Sequence, residues 1–169
     1  KPEMIARILQ GRQTGKVMVF CRTNRAAQRL TDELVDRGFA AASIHGDLNQ
    51  QARERALKKF RAGTVRALVA TDVAARGIDI ADVSHVINYE CPDTDATYVH
   101  RIGRTGRAGN TGVAVTLVDW SDLHRWKLID KQLNLELPDP PETYSSSPHF
   151  YTDLDIPEGT KGRAPGAPA

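Results

Sequence analysis

An α/β fold, a parallel sheet with helices on both faces, is what this sequence predicts, and three observations carry the prediction. Short apolar runs alternate with stretches of helical period between residues 16 and 133. The runs are almost continuously apolar, as strands buried on both faces are, and do not alternate with polar residues. Capping and stop residues such as Asn24, Gly38, Asn49 and Gly63 fall where the period changes.

The elements follow in order. A helix is expected over 2–10. Lys16-Val17-Met18-Val19-Phe20 reads as the first strand. Asn24 is a fitting N-cap for a helix carrying Ala27, Leu30 and Leu34 at helical spacing, stopped by Gly38. Residues 41–44 form a second short strand. Asn49 caps a helix whose apolar side holds Ala52, Ala56 and Phe60. Residues 66–70 and 85–89 are the third and fourth strands, a short helix runs over 95–102, and 112–118 is the fifth strand. Ser121 caps a last helix with Leu123, Trp126, Ile129 and Leu133 on one face.

The rest of the chain has a different composition. Seven of the nine prolines lie beyond residue 137, together with Ser145-Ser146-Ser147. Such a stretch reads as an extended Pro-rich C-terminal tail or linker. The expected division is therefore a domain over 1–137 and a tail over 138–169. Phe150, Tyr151, Leu154 and Ile156 are the apolar exceptions, able to dock as a strap.

Bulk numbers narrow the function. At 169 residues, 40% hydrophobic and 26% charged, the chain is a soluble globular protein of one ordinary domain. A net charge of +2 makes no global demand for a polyanion, so any nucleic-acid signal must be local. Cys21 and Cys91 form no C-x-x-C pair, which speaks against structural zinc and for a reducing, cytoplasmic setting. The five histidines lack ligand spacing, so no metal site is expected. No apolar stretch reaches membrane-spanning length, and neither a leader nor a membrane partner is expected. A chain opening on Lys1 suggests a fragment of something longer. Gly11-Arg12-Gln13-Thr14-Gly15-Lys16-Val17 resembles a phosphate loop only superficially, being one residue short and preceding a strand.

The most informative segment is His100-Arg101-Ile102-Gly103-Arg104-Thr105-Gly106-Arg107. It sets three arginines among glycines with no acid between Asp95 and Asp119. Guanidinium forks on a tight backbone suit phosphate oxygens; a solvated basic loop beside a helix is the competing reading. Three further runs, Cys21-Arg22-Thr23, His45-Gly46-Asp47 and Thr71-Asp72, each follow a strand directly. They should share the carboxyl edge of the sheet, where ligands bind in such folds.

Taken together, these segments resemble the C-terminal RecA-like domain of bacterial-type DEAD-box ATP-dependent RNA helicases. Val19 to Asn24 looks like motif IV, and His45-Gly46-Asp47 with Gln50-x-x-Arg53 like motif IVa and the turn before it. Ala70 to Asp79 looks like motif V, Val86-Ile87-Asn88-Tyr89 like the short strand motif that follows, and His100 to Arg107 like motif VI. A motif VI opening on histidine, where related helicases carry glutamine, favours RNA over DNA.

The resemblance implies a RecA-like three-layer fold and a role as the second motor domain of the helicase. ATP would be bound against an N-terminal RecA-like domain that also holds Mg2+. Arg104 and Arg107 match the arginine fingers; Gly77 and Asp79 match nucleotide-contacting positions. Arg76 and His100 match the interface between the two domains. Thr23, Gly46, Arg53 and Thr71 match RNA-backbone positions, with Gln50 and Asp72 beside them. No aromatic residue interleaves these, so base stacking is not expected. Such a half-motor would be inactive alone. Two other readings stay open: a superfamily-2 DNA helicase or translocase domain, and a non-catalytic module binding RNA or protein.

Overall fold

Five strands pair in parallel in the order β2-β3-β1-β4-β5. They are β1 (Lys16–Cys21), β2 (Ala41–Ile44), β3 (Ala67–Thr71), β4 (Val83–Asn88) and β5 (Val113–Thr116). The helices are α1 (Pro2–Ile8), α2 (Asn24–Asp36), α3 (Gln50–Arg61), α4 (Asp72–Ala75), α5 (Asp95–Ile102), α6 (Leu123–Leu133) and α7 (Pro148–Asp153). This computed structural model describes residues 1–78, 80, 82–106 and 112–167. Asp79 and Arg107 lie outside the described residues.

Alternation along β1 builds both layers. Val17, Val19 and Cys21 face α1 and α2, in one cluster with Ile5, Ile8, Leu9, Leu30 and Leu34. Met18 and Phe20 face the other way, toward Phe60 of α3 and Ala74 of α4. A smaller cluster joins α5 to α6 through Tyr98, Trp126 and Ile129. Both cysteines are buried and free. Burial, with the Glu90 charge adding to it, pushes the Cys21 thiol up to about 12; burial beside Asp122 pushes Cys91 up to about 11. Both thiols are thereby held in the neutral form at neutral pH.

Several boundaries shift from the sequence reading. Thr23, not Asn24, caps α2, its hydroxyl accepting from the Ala26 amide at 3.0 Å. Asn49 caps α3 as expected, accepting from Ala52 at 2.8 Å. Ser121 falls inside a 3-10 turn (Trp120–Asp122), and α6 starts one residue later than a Ser121 cap implies, at Leu123. β5 stops at Thr116, although the Leu117 amide still bonds the Asn88 carbonyl at 3.0 Å. Gly38 ends α2 in the left-handed region, with φ +92°.

The C-terminal stretch does not trail away as its composition suggests. It returns along α1 and α2, and Phe150 and Ile156, each 4% exposed, enter the same core cluster as Ile5 and Ile8. Arg7 of α1 donates to the Tyr151 hydroxyl and to the Ser145 carbonyl, both at 2.6 Å. The Gln10 amide donates to the Lys161 carbonyl at 2.6 Å, and the Ala164 amide to the Arg37 carbonyl at 2.8 Å. Proline is compatible with this return because Pro148 sits in the first turn of α7, where its missing N–H costs nothing. No helix among the described residues is long and apolar enough to cross a membrane.

Candidate functional site

Parallel pairing brings the segments after β1, β2 and β3 to one edge, as the sequence predicts, and the segment after β4 lies there as well. The best-defined feature there is Arg101 of α5, a charged side chain only 1% exposed. Its Nε and Nη2 donate to the two carboxylate oxygens of Asp72, each at 2.8 Å. Its Nη1 donates to Asn88 Oδ1 at 3.2 Å and to the Glu90 carbonyl at 2.9 Å. The guanidinium also lies 5.4 Å from the Phe20 ring centroid. A buried cation persists only when paired and hydrogen-bonded in this way. One side chain thus ties the start of α4, the end of β4 and the last turn of α5 together. The sequence motif gives Arg101 no role of its own; the signal available is its three-residue spacing from Tyr98, which puts both on the buried side of α5.

The expected nucleotide-side residues surround this brace. Arg104, one turn of chain beyond, donates Nη1 to the Ile78 carbonyl at 2.6 Å. It therefore holds the turn that contains Gly77, whose φ of +71° favours glycine and around which a Cβ would meet nothing within 4 Å. Arg76 and His100 are exposed on the same edge. Val73 beside them is 73% exposed. Thr105 donates to the Val83 carbonyl, fixing the chain after α5 beside β4.

The expected RNA-side residues form a looser group. The Gly46 amide donates to Asn24 Oδ1 at 3.1 Å, and a Cβ on Gly46 would stand 3.1 Å from the Asn24 amide nitrogen. His45 is buried; its Nδ1 accepts from the Asp47 amide at 3.2 Å, so its Nε2 carries the proton donated to Gln28 Oε1 at 2.8 Å. Thr23 and Gln50 are exposed, the Gln50 side chain donating to Glu54 one turn along α3. Arg53 reaches across to the Ala74 carbonyl of α4 at 2.7 Å. Thr71 is buried at the start of α4, and both oxygens of Asp72 are engaged by Arg101. No group of three or more His, Cys, Asp or Glu among the described residues could hold a metal ion.

A parallel five-stranded sheet with this arginine-braced carboxyl edge is a RecA-like helicase domain. The chain belongs to the helicase conserved C-terminal domain family, whose model matches residues 1–109. It is 51% identical over 118 residues to the DEAD-box ATP-dependent RNA helicase CshA of Geobacillus kaustophilus, covering 70% of this chain and 25% of that protein. The Bacillus licheniformis CshA is 50% identical over a stretch of the same length. The chain thus spans about a quarter of the length of these curated relatives. Among solved structures, E. coli DEAD-box SrmB bound to RraA superposes with a TM-score of 0.73 at 38% identity, over 78% of each chain. A Saccharomyces cerevisiae Dbp5 C-terminal domain bound to Gle1 and IP6 gives 0.75 at 30% identity, over 91% of this chain and 86% of that one.

Proposed function

We propose that this domain is the second motor half of an ATP-dependent RNA helicase. It supplies Arg104 and Arg107 to ATP held by an N-terminal RecA-like half, and binds the RNA backbone to remodel short duplexes. The observation that carries the reading is the Arg101 brace. It sets the Arg104 and Gly77 side of the edge and the Thr71 side in one fixed relation, as a domain needs when it must sense two ligands at once.

The roles follow from the groups present. Arg104 and Arg107 neutralise charge spreading over the transferred phosphoryl group. Gly77 lets the backbone approach the nucleotide closely, and the Asp79 carboxylate accepts from ribose hydroxyls. Arg76 and His100 meet the N-terminal half. Mg2+, held by that half, neutralises the phosphate oxygens. Thr23, Gly46, Gln50 and Arg53 offer hydroxyl, amide and guanidinium donors to phosphates and 2′-hydroxyls, a sequence-independent grip. Thr71 contributes from the start of α4, where Asp72 positions it through Arg101. The RNA-bound Dbp5 complex with ADP BeF3, 37% identical to this chain, supports RNA as the polymer.

The test uses a two-lobe protein carrying this domain behind a phosphate-loop half. Arg107→Ala or Arg104→Ala should cut RNA-stimulated ATP turnover by roughly 10³-fold or more while RNA binding persists. Turnover close to wild type would remove the finger assignment. Stimulation by DNA as strong as by RNA would transfer the domain to the DNA-translocase reading.

A further inference from the structure

The two tryptophans of this chain have opposite fates. Trp126 is 5% exposed, stacks edge to face on Tyr98 with centroids 5.6 Å apart, and donates Nε1–H to the Leu137 carbonyl. Trp120 is 88% exposed. We infer that Trp120 is the aromatic anchor of a protein–protein contact on the carboxyl edge, and that its occupant is the N-terminal motor half. The inference rests on the function proposed above.

The turn that carries Trp120 is held at both ends. On one side Asp119 accepts from Lys1 Nζ at 2.8 Å, and the same ammonium donates to the Tyr89 carbonyl at 3.2 Å. On the other, buried Asp122 accepts from Arg22 Nη2 at 2.9 Å and from Arg125 Nη1 at 2.8 Å. Arg22, which follows β1, also donates twice to the Cys91 carbonyl, at 2.6 and 3.1 Å. The indole is therefore presented to solvent by a turn fastened to the ends of β1 and β4. A rigid aromatic loses little freedom on binding, which is why such residues dominate contact energetics.

Three features select the occupant. Trp120 follows β5 and Gly46 follows β2, at opposite ends of the sheet order; four strand spacings put them about 19 Å apart. The indole thus stands off the proposed RNA path. The cations around it are spent: Lys1 on Asp119, Arg22 and Arg125 on Asp122 with Asp93 nearby. A neutralised polar rim around one exposed aromatic is the pattern of a protein contact, not of a phosphate grip. Lastly, Lys1 stands against this very turn, so a lobe joined ahead of Lys1 is tethered beside Trp120 at high effective concentration.

The experiment labels the two-lobe protein with 5-fluorotryptophan and assigns the Trp120 fluorine signal by its loss in Trp120→Phe. On adding single-stranded RNA with a non-hydrolysable ATP analogue, the signal should shift and lose its H2O/D2O solvent-isotope effect. RNA alone, added to the isolated 169-residue chain, should leave it unmoved. Trp120→Ala should raise the RNA concentration for half-maximal ATP turnover about tenfold or more, with RNA binding by the isolated chain unchanged. A signal that stays solvent-exposed in the ternary complex overturns the inference. So does a shift with RNA alone, which assigns Trp120 to nucleic acid, or a shift with chain concentration, which assigns it to a second copy. Absence of RNA-stimulated turnover in the wild-type protein is a separate failure: it removes the parent reading and this inference with it.

Discussion

The carboxyl edge has two halves that use polar chemistry in opposite ways. Beyond β4 and β5, charges are consumed in braces: Arg101 on Asp72, Asn88 and Glu90, and Arg22 on Asp122 and Cys91. Around β2 and the start of α2, single neutral hydrogen bonds prevail, such as Gly46 to Asn24 and Thr23 to Ala26. A buried bidentate ion pair is costly to break, whereas an exposed neutral bond exchanges readily with a phosphate or a water. The first half is a frame; the second keeps its donors available.

The comparison breaks most visibly at Arg101. Arg101→Met should cost about 3 kcal/mol in urea unfolding, because Asp72 loses its partner. Adding Asp72→Leu should return a good part of that loss, the coupling being read from the double-mutant cycle. A single-variant cost under about 1 kcal/mol would dissolve the distinction between the halves. A smaller effect belongs to Thr23→Ala: loss of the α2 cap should cost about 1 kcal/mol, with weaker RNA binding only if the hydroxyl also meets the backbone. Smaller still is Asn24→Ala. Stability should change by no more than about 0.5 kcal/mol, while RNA binds about threefold tighter, since the side chain competes with phosphate for the Gly46 amide. Weaker binding there would make Asn24 a ligand.

A titration sharpens the same contrast. His85 of β4 is buried, and desolvation lowers its pKa below the ordinary value of 6.5. The unfolded chain then binds the extra proton more readily, so the stability due to neutral His85 is full above 6.5 and is lost as pH falls through the folded value. His85→Gln should flatten the fall in unfolding free energy between neutral pH and about pH 5; an unchanged slope would assign that fall to other groups.

Most of the architecture was legible because apolar strands and 3.6-residue periods are local signals. The carboxyl edge followed from it, since the runs at Cys21, His45 and Thr71 each lie at or directly after the end of a strand. What escaped is non-local or ambiguous by type. Thr23 and Asn24 are both good caps, so sequence alone could not choose between them. The partners of Arg101 lie 29, 13 and 11 residues away along the chain, beyond any spacing rule. Phe150 and Ile156 were legible as side chains able to dock, but the seven prolines around them gave no sign of the surface they dock on, because composition carries no partner. Trp120 and Trp126 look alike in sequence; only the helical phase shared by Trp126 and Ile129 marks one of them as core.

The return of the C-terminal stretch over α1 has a mechanical consequence. The first helix packs against both the sheet and the returning stretch, with Arg7 gripping Tyr151 and Ile8 in one core cluster with Phe150. A load applied near residue 167 first reaches the end of α2, through Ala164 and Gly162 on Arg37, and then α1, through Lys161 on Gln10 and Tyr151 on Arg7. The first helix and the returning stretch are stitched together, and tension on one is felt by the other.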